Sequence, residues 1–243
     1  MAKEIDVVLS PAEDLPAVDI WLVVDILRAT TNIVHFFSMG GKLMIPVEKV
    51  DEARQIRSLY GDEWLLMGER EALPPEGFDL GNSPFEYTRD TLRDKPFAVI
   101  TTSNGTGAML KAMRSGKTVF ISAARNASAS VERAFNSGDR IGILCAGRHG
   151  RTALDDVLCA GVIIEKALEK ERDILLSDGA RIALEMWETC FGNLRRGVEL
   201  SGHSHILHEL GMEEDIAFCC EIDKSESVPR MTTWEDYPAF VNY

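Results

Sequence analysis

The side chains best suited to chemistry stand where short apolar runs end. Ile20–Val24 delivers Asp25, and Arg28, Thr30 and Thr31 follow closely. A carboxylate beside a guanidinium and two hydroxyls, where a buried strand gives way to a helix, suits a bound anion and its counter-metal. Gly68-Glu69-Arg70-Glu71 ends a second apolar run with two carboxylates around an arginine. Glu69 could serve a hard divalent cation through oxygen. A solvated strand end with a surface ion pair reads the same way.

Thr101-Thr102-Ser103-Asn104-Gly105-Thr106-Gly107 crowds hydroxyls, an amide and two glycines between a strand and a helix. Glycine lets backbone N–H groups approach an anion, and the helix start adds positive potential. It is not a Walker loop, and an N-cap with a tight turn explains the composition equally well. Leu154-Asp155-Asp156 opens a long helix behind Gly147, Arg148, His149, Gly150 and Arg151. Neighbouring helical positions point about 100° apart, so at most one of the two aspartates is expected to face a site, and first-turn acids often only complement the helix dipole. Gly77-Phe78-Asp79-Leu80-Gly81-Asn82-Ser83-Pro84 is rich in turn formers and reads as a loop, with Asp79, Asn82 and Ser83 able to point inward.

Two further patterns carry rival chemistry. Cys145 and Arg151-Thr152 have the Cys-x5-Arg-Ser/Thr spacing of metal-free thiol phosphatases, in which a phosphate-cradling loop lowers the thiol pKa. The pattern is short, and buried reduced thiols are the plainer reading of all five cysteines. His203, His205 and His208 cluster near a short helix, without a companion carboxylate motif for a metal, and read as capping and surface histidines.

The elements that must position these groups alternate along the chain. Apolar runs at Asp6–Leu9, Ile20–Val24, Lys42–Pro46, Trp64–Met67, Phe97–Thr101, Thr118–Ser122 and Arg140–Cys145 read as strands buried on both faces. Helices are expected at Ala29–Ser38, Val47–Tyr60, Thr106–Arg114, Ala127–Asn136, Leu154–Glu171, Ala180–Phe191 and His203–Leu210. This alternation predicts a layered α/β/α fold on a largely parallel or mixed sheet, with ligands beyond the carboxyl ends of the strands. Residues 1–243 are read as one unit, and an internal division near 115–125 into two similar α/β halves stays open. Lys224–Tyr243 is polar and contains proline, and is expected to wrap the surface.

Composition narrows the partners. The net charge of −13 disfavours general affinity for nucleic acid or anionic membranes. It leaves room for a small anionic substrate, because a few arginines or a bound Mg²⁺ reverse the field locally. No apolar stretch reaches the length of a membrane span, and Met1–Ser10 lacks a signal-peptide apolar region, so a cytoplasmic location is the expectation. Homo-oligomerisation stays open.

Taken in order, these segments resemble the 2-phosphosulfolactate phosphatase family. The resemblance rests on Asp25-Ile26-Leu27-Arg28-Ala29-Thr30-Thr31, Gly68-Glu69-Arg70, Gly77–Pro84, Thr101–Thr106, and Cys145-Ala146-Gly147-Arg148 with Asp155-Asp156 and Ala160-Gly161. It covers about residues 5 to 165, with a weaker match at Val228-Pro229. Ser103 stands where the family usually has a threonine, and Asp155 where it usually has glutamate; the shorter side chain puts a role for Asp155 in doubt.

The resemblance implies a family-specific α/β architecture and Mg²⁺-dependent hydrolysis of 2-phospho-3-sulfolactate, a step of coenzyme M biosynthesis, or of a related 2-phospho acid. On that basis Asp25, Glu69 and Asp156 are expected as metal ligands or base. Arg28, Thr102, Asn104, Gly105, Thr106 and Arg148 are expected to hold the substrate's anionic groups. A cysteine-dependent phosphatase built on Cys145 and Arg151, or a non-catalytic binder of an anionic metabolite, is the alternative.

Overall fold

The computed structural model describes residues 2–242. In chain order the elements are β1 (Lys3–Val8), β2 (Ile20–Val24), α1 (Ala29–Ser38), β3 (Leu43–Pro46), α2 (Val50–Tyr60), β4 (Trp64–Gly68), α3 (Arg89–Asp94), β5 (Phe97–Thr101), α4 (Gly105–Arg114), β6 (Thr118–Ser122), α5 (Ala127–Ser137) and β7 (Arg140–Cys145). They continue with α6 (Leu154–Lys170), β8 (Ile174–Leu176), α7 (Asp178–Glu188), α8 (Leu194–Val198), α9 (Gly202–Glu209), α10 (Glu213–Cys219), β9 (Pro229–Trp234) and β10 (Tyr237–Asn242).

All ten strands join one sheet in the order β4-β5-β3-β10-β9-β6-β2-β7-β1-β8. Two parallel blocks, β4-β5-β3 and β6-β2-β7-β1-β8, are joined by the antiparallel hairpin β10-β9. The possible division left open near 115–125 would fall on β6, which pairs with β2 on one side and β9 on the other.

Side-chain alternation explains the layers. Ile20, Leu22 and Val24 enter a core shared with α5, α6 and α7, while Trp21 and Val23 enter a second core containing Ile33 of α1 and Met109 of α4. That second core also takes Met44, Leu65, Met67, Ala98 and Ile100 from the three-strand block, and α4, which meets β2, β6 and β7 as well as β3, is packed against both blocks. The opposite face of the three-strand block, with Ile45, Leu66 and Val99, meets Ala53 and Ile56 of α2. Helices thus cover both sides of a mixed, mostly parallel sheet, and strands buried on both faces read as continuous apolar runs.

One expectation is overturned. Most of Lys224–Tyr243 does not wrap the surface; β9 and β10 lie mid-sheet and join the two blocks. Met231, Ala239 and Phe240 are buried there, and Pro229 opens its strand, a position at which a missing N–H costs little. Among the described residues, no helix is long and apolar enough to cross a membrane.

Candidate active site

Asp25 is the first residue beyond β2. Its backbone is locked by the next turn: the Asp25 N–H donates to Thr30 Oγ1 at 3.0 Å, and the Thr30 hydroxyl donates back to the Asp25 carbonyl at 2.9 Å. The Thr31 hydroxyl donates to the Ile26 carbonyl at 2.9 Å. Both hydroxyls are therefore spent on the helix entry. Among the described residues, the Asp25 carboxylate itself receives only a long contact, from the Ala29 N–H to Oδ1 at 3.4 Å. Burial raises its pKa from 3.8 to about 7; the charges of Glu69 and Asp155 push in the same direction, and His203 opposes them.

The two aspartates that open α6 have different surroundings. Asp156 accepts the Ile26 N–H at 2.9 Å on Oδ1 and the Gly147 N–H at 2.8 Å on Oδ2, tying the end of β2 to the end of β7. Burial pushes its pKa well above the usual carboxylate value, with Asp155 and Asp25 adding to the shift. Asp155, 2% exposed, has Oδ2 3.5 Å from His203 Nδ1, while its Oδ1 is buried with no partner. Both aspartates are thus buried, and the side chain whose role the sequence left in doubt is the one with an unsatisfied oxygen. A buried carboxylate oxygen without a partner is costly unless something occupies the space before it.

Glu69 shapes the neighbouring turn. It accepts the Ser103 N–H at 2.7 Å, the Ser103 hydroxyl at 3.1 Å and the Ala72 N–H at 3.0 Å. Gly68 before it has φ +138, and a β-carbon there would run into the Thr101 carbonyl oxygen. Within the turn, the Thr106 N–H donates to Thr102 Oγ1 at 3.1 Å and the Thr106 hydroxyl to the Thr102 carbonyl at 2.9 Å. Thr102, Gly105 and Thr106 are buried, and the two threonine side chains close the turn on itself as a floor. Gly105 lies against Asp25: an added β-carbon would stand 2.7 Å from Oδ2. Asn104, at the cavity wall, accepts the His149 N–H through Oδ1 at 2.9 Å, and its side-chain nitrogen has no hydrogen bond among the described residues.

Arg28, expected to bind substrate, is turned to another task. Its guanidinium is 2% exposed and pairs with Asp215 of α10 at 2.6 Å, donates to the Ala72 carbonyl at 2.8 Å and touches Met212 Sδ at 3.1 Å. Ser83 donates to the second Asp215 oxygen at 2.7 Å, and Asn82 accepts from Asn32 at 3.1 Å. The loop Gly77–Pro84 is thereby scaffold, with Asp79 accepting the Leu66 N–H of β4 at 2.8 Å.

Above this floor the cleft has two lobes. One, of about 420 Å³, includes Glu69, Ser103, Asn104 and Glu209 in its walls; the other, of about 680 Å³, includes Arg151, Asp155, Ser201 and Gly202. Arg148, His149 and His203 line both. Of the three histidines clustered near α9, His203 lines the cleft, whereas His205 and His208 lie exposed. Its only local mark was the Ser201-x-x-Ser204 pattern, in which Ser201 accepts the Ser204 N–H at 3.0 Å and starts α9. Asp215 carried no mark in the sequence, since it sits among first-turn acids that read as dipole complements, and Asp155, in doubt from the sequence, is the aspartate that lines the cleft.

Cys145 loses its physical basis as a nucleophile. It is fully buried in the core with Val24 and Leu158, and burial, with Asp156 next, pushes its thiol well above the usual value. A thiolate is needed for attack, and this setting opposes one.

The comparison with a family model decides the identity: the 2-phosphosulpholactate phosphatase model matches residues 7–233. The chain belongs to that family. As a member it is an enzyme of the phosphoric monoester hydrolase class. The chain is 37% identical over 226 residues to a protein of Pseudothermotoga lettingae named "Probable 2-phosphosulfolactate phosphatase", covering 93% of this chain and 94% of that one. Proteins of the same name from Clostridium acetobutylicum (34%, covering 88% and 90%) and Deinococcus radiodurans (37%, covering 91% and 91%) are similar over comparable lengths.

A divalent cation would find hard oxygen donors here. Among the described residues, no three His, Cys, Asp or Glu side chains converge as a ready cage. Mg²⁺ does not need one, since it keeps several waters and takes one or two carboxylates beside substrate phosphate. Asp25, with one weak donor, and Asp155, with an orphaned buried oxygen, fit that pattern. Each oxygen of Asp156 and of Glu69 already accepts a backbone N–H.

Proposed function

We propose that the cleft hydrolyses the phosphate monoester of 2-phospho-3-sulfolactate, or of a closely related 2-phospho acid, to the 2-hydroxy acid and inorganic phosphate, with Mg²⁺. The observation that carries the reading is Asp25: a buried, nearly unpartnered strand-end carboxyl beside Asp155, in a chain of this family. Asp25 and Asp155 would hold the cation, which when bound polarises phosphoryl oxygens and acidifies water. The role in coenzyme M synthesis belongs to the same proposal.

The chain's own residues do the positioning on which phosphoryl transfer depends. Arg148 and the Asn104 side-chain N–H₂ grip phosphoryl oxygens where the lobes meet. Asp156 keeps Asp25 in register with the Gly147–Arg148 backbone, and Glu69 fixes the Ser103–Asn104 wall. Asp25 serves as ligand or base to an attacking water; Ile26-Leu27 follows it, without the second aspartate two residues on that aspartyl-phosphate enzymes use. The test is phosphate release from a panel of phosphate esters. A clear preference for 2-phospho acids over sugar and nucleoside monophosphates supports the reading. Tight binding with no hydrolysis of any ester would replace it with the non-catalytic binder.

A further inference from the structure

We infer that the second lobe is a subsite for a sulfonate on the carbon beyond the ester carbon, and that Arg151 is the residue that selects for it. The inference rests on the phosphatase reading of the cleft and adds which part of the substrate each lobe reads.

The backbone carries the first argument. Arg148 and Arg151 form an antiparallel bridge, Arg148 N–H to Arg151 O at 2.8 Å and Arg151 N–H to Arg148 O at 3.0 Å, across a turn in which His149 and Gly150 have positive φ. Residues directly opposite in such a bridge project from the same face, and like charges placed so repel. Neither guanidinium has a hydrogen bond or ion pair within the described residues. Arg28, Arg57, Arg114, Arg125, Arg140 and Arg195, in contrast, are each paired with a carboxylate. In a chain of net charge −13, two adjacent unpaired arginines on one cavity wall form a site that an oxyanion completes.

The partition of charge carries the second. Glu69, Glu71 and Glu209 stand around the first lobe, so a tail bearing its own negative charge is disfavoured there. The second lobe holds Arg148, Arg151 and the first turn of α9, where the Gly202 and His203 N–H groups precede the capped Ser204. Its one carboxylate, Asp155, is the residue proposed to face the cation. Arg148 lines both lobes and is shared with the phosphate; Arg151 lines only the second. A substrate with phosphate at the junction therefore extends an anionic arm to Arg151, and the sulfonate, one bond farther from the ester carbon than the carboxylate, is the arm with the longer reach.

The experiment compares kcat/KM for 2-phospho-3-sulfolactate and for 2-phospholactate, the same ester without the sulfonate, in the wild type, R151Q and R151K. Arg151 is exposed, so these changes leave the core intact. The ratio of the two constants should fall about 10- to 100-fold in R151Q, the worth of a hydrogen bond to a charged group, with partial recovery in R151K. A ratio within about twofold of wild type in R151Q would overturn the subsite. Calorimetric binding of 3-sulfolactate separates this from the phosphatase reading, because it needs no turnover. Weaker binding to R151Q supports the subsite even if no ester is hydrolysed; equal binding, or none to the wild type, overturns it.

Discussion

Arg28 and Asp215, 187 residues apart in the chain, meet in a buried ion pair at 2.6 Å that fastens α10 over the strand-end site. The same guanidinium holds the Ala72 carbonyl, and the Ala72 N–H is held by Glu69. One side chain thus ties the β2 end, the segment between β4 and α3, and α10 together. Removing one partner strands a buried charge, so Asp215→Ala should lower stability by about 3–5 kcal/mol, or Tm by roughly 6–20 °C. The double variant R28M/D215L should regain most of that loss, since apolar replacement of a buried pair is often near neutral. Thermal unfolding of the variants checks this; a D215A melting within a degree of wild type would deny the pair its role.

The Asp25 carboxyl sets a pH dependence. Its pKa rises from 3.8 to about 7 on folding, so the folded chain keeps a proton that the unfolded chain releases. That contribution is complete below about pH 4 and is lost as pH rises through 7. Asp25→Asn should therefore gain stability relative to wild type between about pH 4 and 7, on the order of a few kcal/mol, and hold the gain above that. His35, whose pKa is lowered to about 4 chiefly by burial, acts oppositely, its contribution being lost as pH falls from 6.5 toward 4. It is common to both proteins and cancels in the difference. Denaturant unfolding in EDTA from pH 4 to 8 reads that difference, and a flat difference contradicts the buried, proton-holding Asp25.

Gly105 makes a local test of how tightly Asp25 is placed. A methyl at this position would crowd Asp25 Oδ2 and the Ala29 β-carbon, at 2.7 and 2.8 Å, whereas Gly107 in the same helix has nothing within 4 Å. G105A should lower kcat at least about 10-fold by displacing the carboxylate. G107A should keep its activity and gain about 0.5–1 kcal/mol from helix propensity. Equal activities for the two variants would show that Asp25 tolerates displacement.

Cys145 should be dispensable for chemistry. C145A is expected to retain phosphatase activity within about a few fold, and thiol reagents should leave the native enzyme active, since its thiol is buried and held protonated. A loss of more than a hundredfold in a folded C145A would restore the thiol mechanism.

The strand-end frame was legible because strands buried on both faces are written as short apolar runs, and a chemical residue after each run marks the ligand edge. Glu69 and Arg148 line the cleft by that logic, and Asp25 lies against Gly105 with Glu69 and Asp155 as its charged neighbours. Arg28 did not behave as composition suggests, because its partner Asp215 lies in a helix whose first-turn acids have an ordinary local explanation. Asp155 and Asp156 are indistinguishable in sequence; the backbone N–H groups of Ile26 and Gly147 decide which is clamped and which has a free oxygen. The C-terminal hairpin was hidden because Pro229, Pro238 and its polar neighbours resemble a surface tail, and only its seat between β3 and β6 buries Met231 and Phe240.

The most direct measurement is phosphate release from 2-phospho-3-sulfolactate by wild type and D25N, each with Mg²⁺ and with EDTA. Turnover by wild type with Mg²⁺, abolished by EDTA and reduced at least about 1,000-fold in a folded D25N, is the predicted result. Full activity in EDTA, or in D25N, would contradict a metal-dependent phosphatase centred on Asp25.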